Sequence, residues 1–70
     1  MDERIFKLFD IGRKVVAEHG VEFVSLHADG HVANTYEANG MYFAYAYVCE
    51  SKAITETYRW DGERWVEWIR

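Results

Sequence analysis

Proline is absent from this 70-residue chain, and cysteine occurs once, at Cys49. A lone cysteine rules out an internal disulfide, and its free thiol suits a reducing compartment. With no proline, no low-complexity stretch and no repeat, nothing marks a linker, so the chain reads as a single domain over residues 1–70. Basic residues are in the minority: 8 Lys and Arg face 12 Asp and Glu, a formal net charge of -4. That balance argues against binding a phosphate backbone, which relies on a basic patch. The acids are spread along the chain among Lys and Arg, which reads as solubility rather than as mimicry of DNA. The opening Met-Asp-Glu-Arg lacks the basic segment followed by an apolar run of a secretory signal, and no run approaches the length that crosses a bilayer. The expected setting is therefore cytoplasmic, away from membranes. No Walker loop, Rossmann glycine pattern, serine elbow or zinc-ligand cysteine pair is present.

What the chain does have is apolar and aromatic surface. Half of its residues are hydrophobic and 17% are aromatic, enough for a true core and too much for disorder. A chain of this size buries only about 60% of its unfolded surface, so added support from oligomerisation is expected. Met41–Val48 is apolar or aromatic at every position, so neither of its alternating faces belongs to water, and the run predicts the central strand of a small sheet. Upstream, Ile5, Leu8, Phe9, Val15 and Val16 recur at helical spacing with Gly12 and His19 on the same stripe. Phe6 and Ile11 flank that stripe. Asp2 and Glu3 favour the positive end, Glu3 to Lys7 and Asp10 to Lys14 are i,i+4 pairs in the favourable order, and His19-Gly20 is a stop signal. A helix over about residues 2–19 follows. Gly12 in mid-helix costs about 1 kcal/mol relative to Ala, which a close approach to bulky side chains beneath would offset.

Beyond Val21 the pattern turns to strands punctuated by Asp29-Gly30, Asn39-Gly40 and Asp61-Gly62, dipeptides suited to two-residue type I′ turns. A weaker turn falls near Ser51-Lys52. Strands are predicted over about residues 21–28, 31–38, 41–50, 53–60 and 63–70, giving an α+β fold: one N-terminal amphipathic helix packed on a four- to five-stranded antiparallel meander in the order 1-2-3-4-5. Two-residue loops pair Ala28 with His31, Ala38 with Met41, Trp60 with Glu63 and, on the same assumption, Glu50 with Ala53. One face then collects Val21, Phe23, Val32, Tyr36, Met41, Phe43, Tyr45, Tyr47, Ile54, Tyr58, Trp60, Trp65 and Ile69. The other collects Val24, Leu26, Ala28, Ala33, Ala44, Ala46, Val48, Val66 and Trp68 with Thr35, Thr55 and Thr57.

One helix about 10 Å across cannot cover five strands spaced about 4.8 Å apart, and cannot cover two faces at all. With the helix placed on the aromatic face, the flatter face bearing Val24, Leu26, Ala33, Ala44, Ala46 and Val48 is left open as a homodimer interface. Glu22 and Glu37 fall opposite one another, as do Arg59 and Arg64, and such like-charged corners invite an oppositely charged partner.

Few residues suggest chemistry. His27 and His31 bracket a turn and point to opposite faces, which removes the metal reading that i,i+4 spacing would carry on a helix. His19 is a helix-end cation. Cys49 falls near Ile54 on the aromatic face as a small buried hydrophobe. Glu56 and Glu67 are placed opposite each other, in a row with Tyr47, Val32 and His27, the one constellation that resembles acid–base chemistry. An aromatic central strand invites comparison with RNA-recognition sheets, but the basic-glycine-aromatic pattern of those sheets is missing.

These observations imply a non-enzymatic protein-binding module, homodimeric, acting by occluding a partner's surface, without cofactor, metal or catalytic residues. Candidate contacts are Trp68, Trp60, Arg59, Arg64, Tyr42 and Glu37, drawn from the aromatic and arginine-rich C-terminal segment and the charged corners. In size and acidic character the chain looks like the small phage-encoded inhibitors of host functions, anti-CRISPR and other anti-defence proteins among them, an analogy of class that no motif carries. Two alternatives belong to other classes. One is a small-ligand-binding protein or minor hydrolase with a cavity lined by His27, Tyr45, Tyr47, Glu56 and Glu67. The other is a structural assembly subunit, which predicts oligomers larger than a dimer.

Overall fold

The computed structural model describes residues 3–68 apart from the Thr55 side chain, so the expectations for Asp2 at the helix start, for Thr55 and for Ile69 lie outside the described residues. Helix α1 (Glu3–His19) precedes strands β1 (Phe23–Ala28), β2 (His31–Ala38), β3 (Met41–Val48), β4 (Ile54–Trp60) and β5 (Trp65–Glu67). The strands form one antiparallel sheet in the order β1-β2-β3-β4-β5. The fold is thus α+β, with β3 in the middle as its two-sided apolar pattern predicts. Asp29 and Gly30 (φ 51° and 76°) and Asn39 and Gly40 (φ 54° and 79°) take the left-handed conformation that two-residue hairpins need. The registers of β1 on β2 and β2 on β3 are those the turns imply, Ala28 against His31 and Ala38 against Met41.

The helix, however, lies on the other face from the one expected. Ile5, Phe9 and Val16 of α1 are buried, and Ile5 and Phe9 share the core with Ala33, Ala44, Ala46 and Tyr58. The reason is steric. A helix can sit close to a sheet only where the side chains beneath it are short, and Ala33, Thr35, Ala44 and Ala46 make such a floor across β2 and β3. Gly12 completes the fit, since a Cβ placed on it would lie 2.6 Å from Thr35 Oγ1 and 2.9 Å from Thr35 Cβ. The close approach inferred from Gly12 is real, but its partner is Thr35 and not a bulky side chain. Thr35, 1% exposed, donates its hydroxyl to the Phe9 carbonyl at 3.4 Å.

The second half of the sheet is turned over relative to expectation. The weak turn is longer than two residues: Lys52 takes a positive φ of 58° and its N–H bonds to the Val48 carbonyl at 2.8 Å. As a result β3 ends at Val48 and β4 begins at Ile54, with Tyr47 opposite Ile54, a bulge, and then Ala46 opposite Glu56. Because side chains alternate, this shift of pairing by one residue moves every side chain of β4 to the other face from the bulge onward. Tyr58 and Trp60 therefore flank the helix instead of joining Phe43 and Tyr45, while Thr57 and Arg59 face away from it. The last hairpin also differs. Asp61 accepts N–H bonds from Glu63 (2.8 Å) and Arg64 (2.9 Å), closing a four-residue loop that pairs Trp60 with Trp65, not with Glu63.

The slip supplies what the helix needs at its flank. Phe9 meets Tyr58 and Trp65 with ring centroids 5.9 and 5.5 Å away, and Phe6 meets Tyr58 at 5.0 Å. Trp65 Nε1 donates to Asp10 at 3.0 Å, and the Arg13 guanidinium lies 4.0 Å from the centre of the Trp60 ring. Large rings thus wall one side of a helix that rests on alanines, while half-buried Val24 and Leu26 of β1 lie on its other side. No helix among the described residues is long and apolar enough to cross a membrane.

Candidate functional site: the open aromatic face

Since α1 takes the small-residue face, no helix among the described residues covers the ring-bearing face of the sheet. The same alternation that puts Ala33, Thr35, Ala44 and Ala46 under the helix turns Tyr36, Phe43, Tyr45 and Tyr47 away from it. Phe23 lies opposite Tyr36 on β1 and is 51% exposed. At the far side Trp68 follows β5 and is tied to β4: its N–H donates to the Thr57 carbonyl at 3.0 Å, and Thr57 Oγ1 donates to the Trp68 carbonyl. The rings contact one another in a chain. Tyr36 stacks on Phe43 at 5.3 Å with an interplanar angle of 23°, and Phe43 meets Trp68 at 4.8 Å. Between them opens a cleft of about 380 Å³, lined chiefly by Phe23, Tyr36, Phe43, Tyr45, Ile54 and Trp68, with Thr57, Ala44 and Tyr58 also reaching it. Ile54, at the rim, is 59% exposed.

The charge of this face departs from that of the chain. Among the described strand residues Glu37, Glu56 and Glu67 all point to the helix side, so none of the described strands puts a carboxylate on the open face. Apart from the tyrosines, the residues of the described strands on this face that can carry charge are Arg59, opposite Phe43 and Val66, and His27 at the β1 end. Asn34 sits beneath the rings, between Ser25 and Tyr45, only 3% exposed, and its Oδ1 has no hydrogen-bond partner among the described residues.

The residues singled out from sequence separate accordingly. Of the partner-contact candidates, Trp68 and Arg59 belong to the open face. Trp60 does not: it packs on Trp65 at 5.2 Å beneath Arg13. Tyr42 and Glu37 lie opposite one another on the helix side, where Glu37 also accepts the Gly40 N–H at 2.8 Å and so braces its own turn. Arg64 sits in the last loop 3.5 Å from Asp61. Glu37 does face Glu22, its N–H donating to the Glu22 carbonyl at 3.0 Å, whereas Arg59 faces Val66 and not Arg64.

The dimer-interface candidates are displaced by the same reversal. Ala33, Ala44 and Ala46, at 1%, 2% and 1% exposure, are sealed by the chain's own helix, and Val24, Leu26 and Val48 are half-buried on that side. The alternative ligand site comes apart as well. Glu67 is opposite Tyr58, Glu56 opposite Ala46, and both lie on the helix side, while His27, Tyr45 and Tyr47 lie on the other, so the sheet itself separates the two groups. Glu56 instead accepts the Tyr58 hydroxyl at 3.0 Å, and burial, with that hydrogen bond second, pushes the phenol up to about 12. Cys49 is exposed at the turn after β3 rather than buried near Ile54. His27 and His31 fall on opposite faces, as alternation requires, and His31 Nδ1 lies 3.0 Å from the Asp29 carbonyl.

The residues that make the open face stand out in the sequence as a bulky set but not as a site, because an apolar face of that kind is also what a helix would be expected to cover. Asn34 carries no sequence signal of its own. Comparison with known proteins adds nothing to this geometry: no protein-family model matches the chain, and no curated protein or solved structure matches it.

Proposed function

We propose that this protein is a small non-enzymatic binding module that acts by laying the open aromatic face of its sheet against the surface of a partner protein. The single observation that supports this is the placement of the only described helix on the alanine-bearing face, which leaves Phe23, Tyr36, Phe43, Tyr45 and Trp68 around an uncovered cleft. Aromatic side chains around a concavity are the usual anchors of protein interfaces, and a contiguous apolar face of this kind marks an interaction surface. A protein partner fits better than nucleic acid. The face offers stacking rings, but Arg59 alone makes no basic track, and the chain as a whole is acidic at -4. The hydrolase reading loses its support, since Glu56 and Glu67 are on the far side of the sheet from Tyr47 and His27.

Site-specific photocrosslinking tests the reading. A photoreactive phenylalanine analogue at Phe43 or Tyr45 should give a discrete protein adduct in lysate that survives nuclease. The same analogue at Lys14 or Glu18, exposed on the helix, should give none. Adducts of equal yield from both sets, or loss of the open-face adduct on nuclease treatment, would contradict it. Glu56→Gln with Glu67→Gln should leave the adduct unchanged.

A further inference from the structure

We infer that β1 is a self-pairing edge, through which two copies of this chain join antiparallel into one continuous sheet. The ladder decides which groups are free. Glu37 N–H bonds to the Glu22 carbonyl, so alternation assigns Val24, Leu26 and Ala28 to the bonds with β2 and turns the N–H and C=O of Phe23, Ser25 and His27 out of the sheet. A strand edge of this kind is a template for another strand, and natural sheets guard it with lysine, proline, bulges or short length. None of these guards is present. The six residues Phe-Val-Ser-Leu-His-Ala contain no lysine or proline, and their pairing with β2 runs without a register shift. Among the described residues the opposite edge is guarded by its short length, since β5 has only three.

The occupant that fits this edge is a second β1. Antiparallel pairing centred on Ser25 against Ser25 of the other copy uses the free N–H and C=O groups of all three outward residues. Sliding the pair by two positions in either direction leaves one of those residues unbonded in each copy. In the centred register Phe23 meets His27 on the open face, and Val24 meets Leu26 on the helix side, so an aromatic pair and an apolar pair form twice each. Glu22 falls opposite Ala28, and no charge meets its like. The two-fold axis stands perpendicular to the sheet, so the two aromatic faces emerge on the same side as one surface. The pairing is independent of what that surface binds.

The contact is small. A six-residue strand is about 20 Å long, and against the shortest molecular dimension of 19 Å it offers roughly 400 Å² per copy, about half the standard for a stable complex. The dimer should therefore be concentration-dependent, with dissociation in the micromolar range or weaker. Sedimentation equilibrium over about 1 μM to 1 mM should show the mass rising from 8.3 kDa towards twice that value. In a Cys49→Ser background, Ser25→Cys should oxidise to a covalent dimer at least about ten-fold faster than Phe23→Cys, because the centred register puts the two residues 25 within disulfide reach and the two residues 23 about 13 Å apart along the strands. Ser25→Pro, which removes an outward N–H, should stay folded by circular dichroism and lose the dimer. If that variant fails to fold, the relative crosslinking rates still decide. A monomer throughout the concentration range, or a dimer in which Ser25→Cys crosslinks no faster than Phe23→Cys, overturns the inference.

Discussion

Replacing Gly12 by alanine sets two effects against each other, and the structure says which wins. Helix propensity alone favours alanine by about 1 kcal/mol at an interior position. Here the added methyl would lie 2.6 Å from Thr35 Oγ1 and 2.9 Å from Thr35 Cβ, distances that force the helix or the strand to move. Neither atom belongs to a side-chain end that can swing aside, since Thr35 is 1% exposed and its hydroxyl is committed to the Phe9 carbonyl. Overpacking of this kind costs about 1–3 kcal/mol, with about 1 kcal/mol more if the Thr35 bond breaks. The net expectation is a loss of about 1–3 kcal/mol, or a fall of roughly 1–3 M in the urea midpoint for a small domain with a slope near 1 kcal/mol/M. A double-mutant cycle sharpens the test. Thr35→Ala removes Oγ1 but leaves Cβ, so Gly12→Ala with Thr35→Ala should recover part of the loss, with a coupling of about 1 kcal/mol. Should Gly12→Ala raise the midpoint by its propensity alone, the helix does not rest on Thr35, and the assignment of the two faces falls with it.

The placement of the helix makes a second, larger contrast: Phe9, with 0% exposure, should cost about 3–5 kcal/mol when truncated to alanine, whereas Phe43→Ala on the open face should cost far less by chemical denaturation. Asp10→Ala removes the acceptor of the Trp65 indole and should cost about 1.5 kcal/mol, with a change in tryptophan fluorescence as the ring loses its anchor. Tyr58 has its pKa raised from 10.0 to about 12 by burial and by Glu56, so folding favours its neutral form. That contribution is complete below pH 10 and fades as pH rises through about 12, so thermal stability should fall over that range in the native chain and less steeply in Tyr58→Phe. Asp61 has the opposite sign. The Glu63 and Arg64 N–H groups hold its carboxyl below the usual range, so the stability it adds is present above that range and lost on acidification, a loss that Asp61→Ala should abolish in an acid titration.

Local signals carried far along this chain. The stripe through Ile5, Phe9, Gly12 and Val16 names the buried side of α1, and Asp29-Gly30 and Asn39-Gly40 set both turn type and register for the first three strands. Each is a matter of a few neighbouring residues, where alternation and allowed φ leave little choice. At Ser51-Lys52 that certainty stops, because neither residue prefers positive φ and loop length was therefore free to vary. A loop that leaves β4 shifted by one residue then exchanged the faces of Tyr58, Trp60 and Thr57 at once.

The sequence by itself determined the element order, the antiparallel meander, the central position of Met41–Val48 and the excess of apolar sheet over what one helix can cover. Which face was covered was decided only in three dimensions. Both faces are apolar, so hydrophobicity could not choose between them. The choice fell to shape: Gly12 fits against Thr35 among short alanine side chains, and the rings of Tyr36, Phe43 and Tyr45 would hold a helix too far from the sheet to close the core.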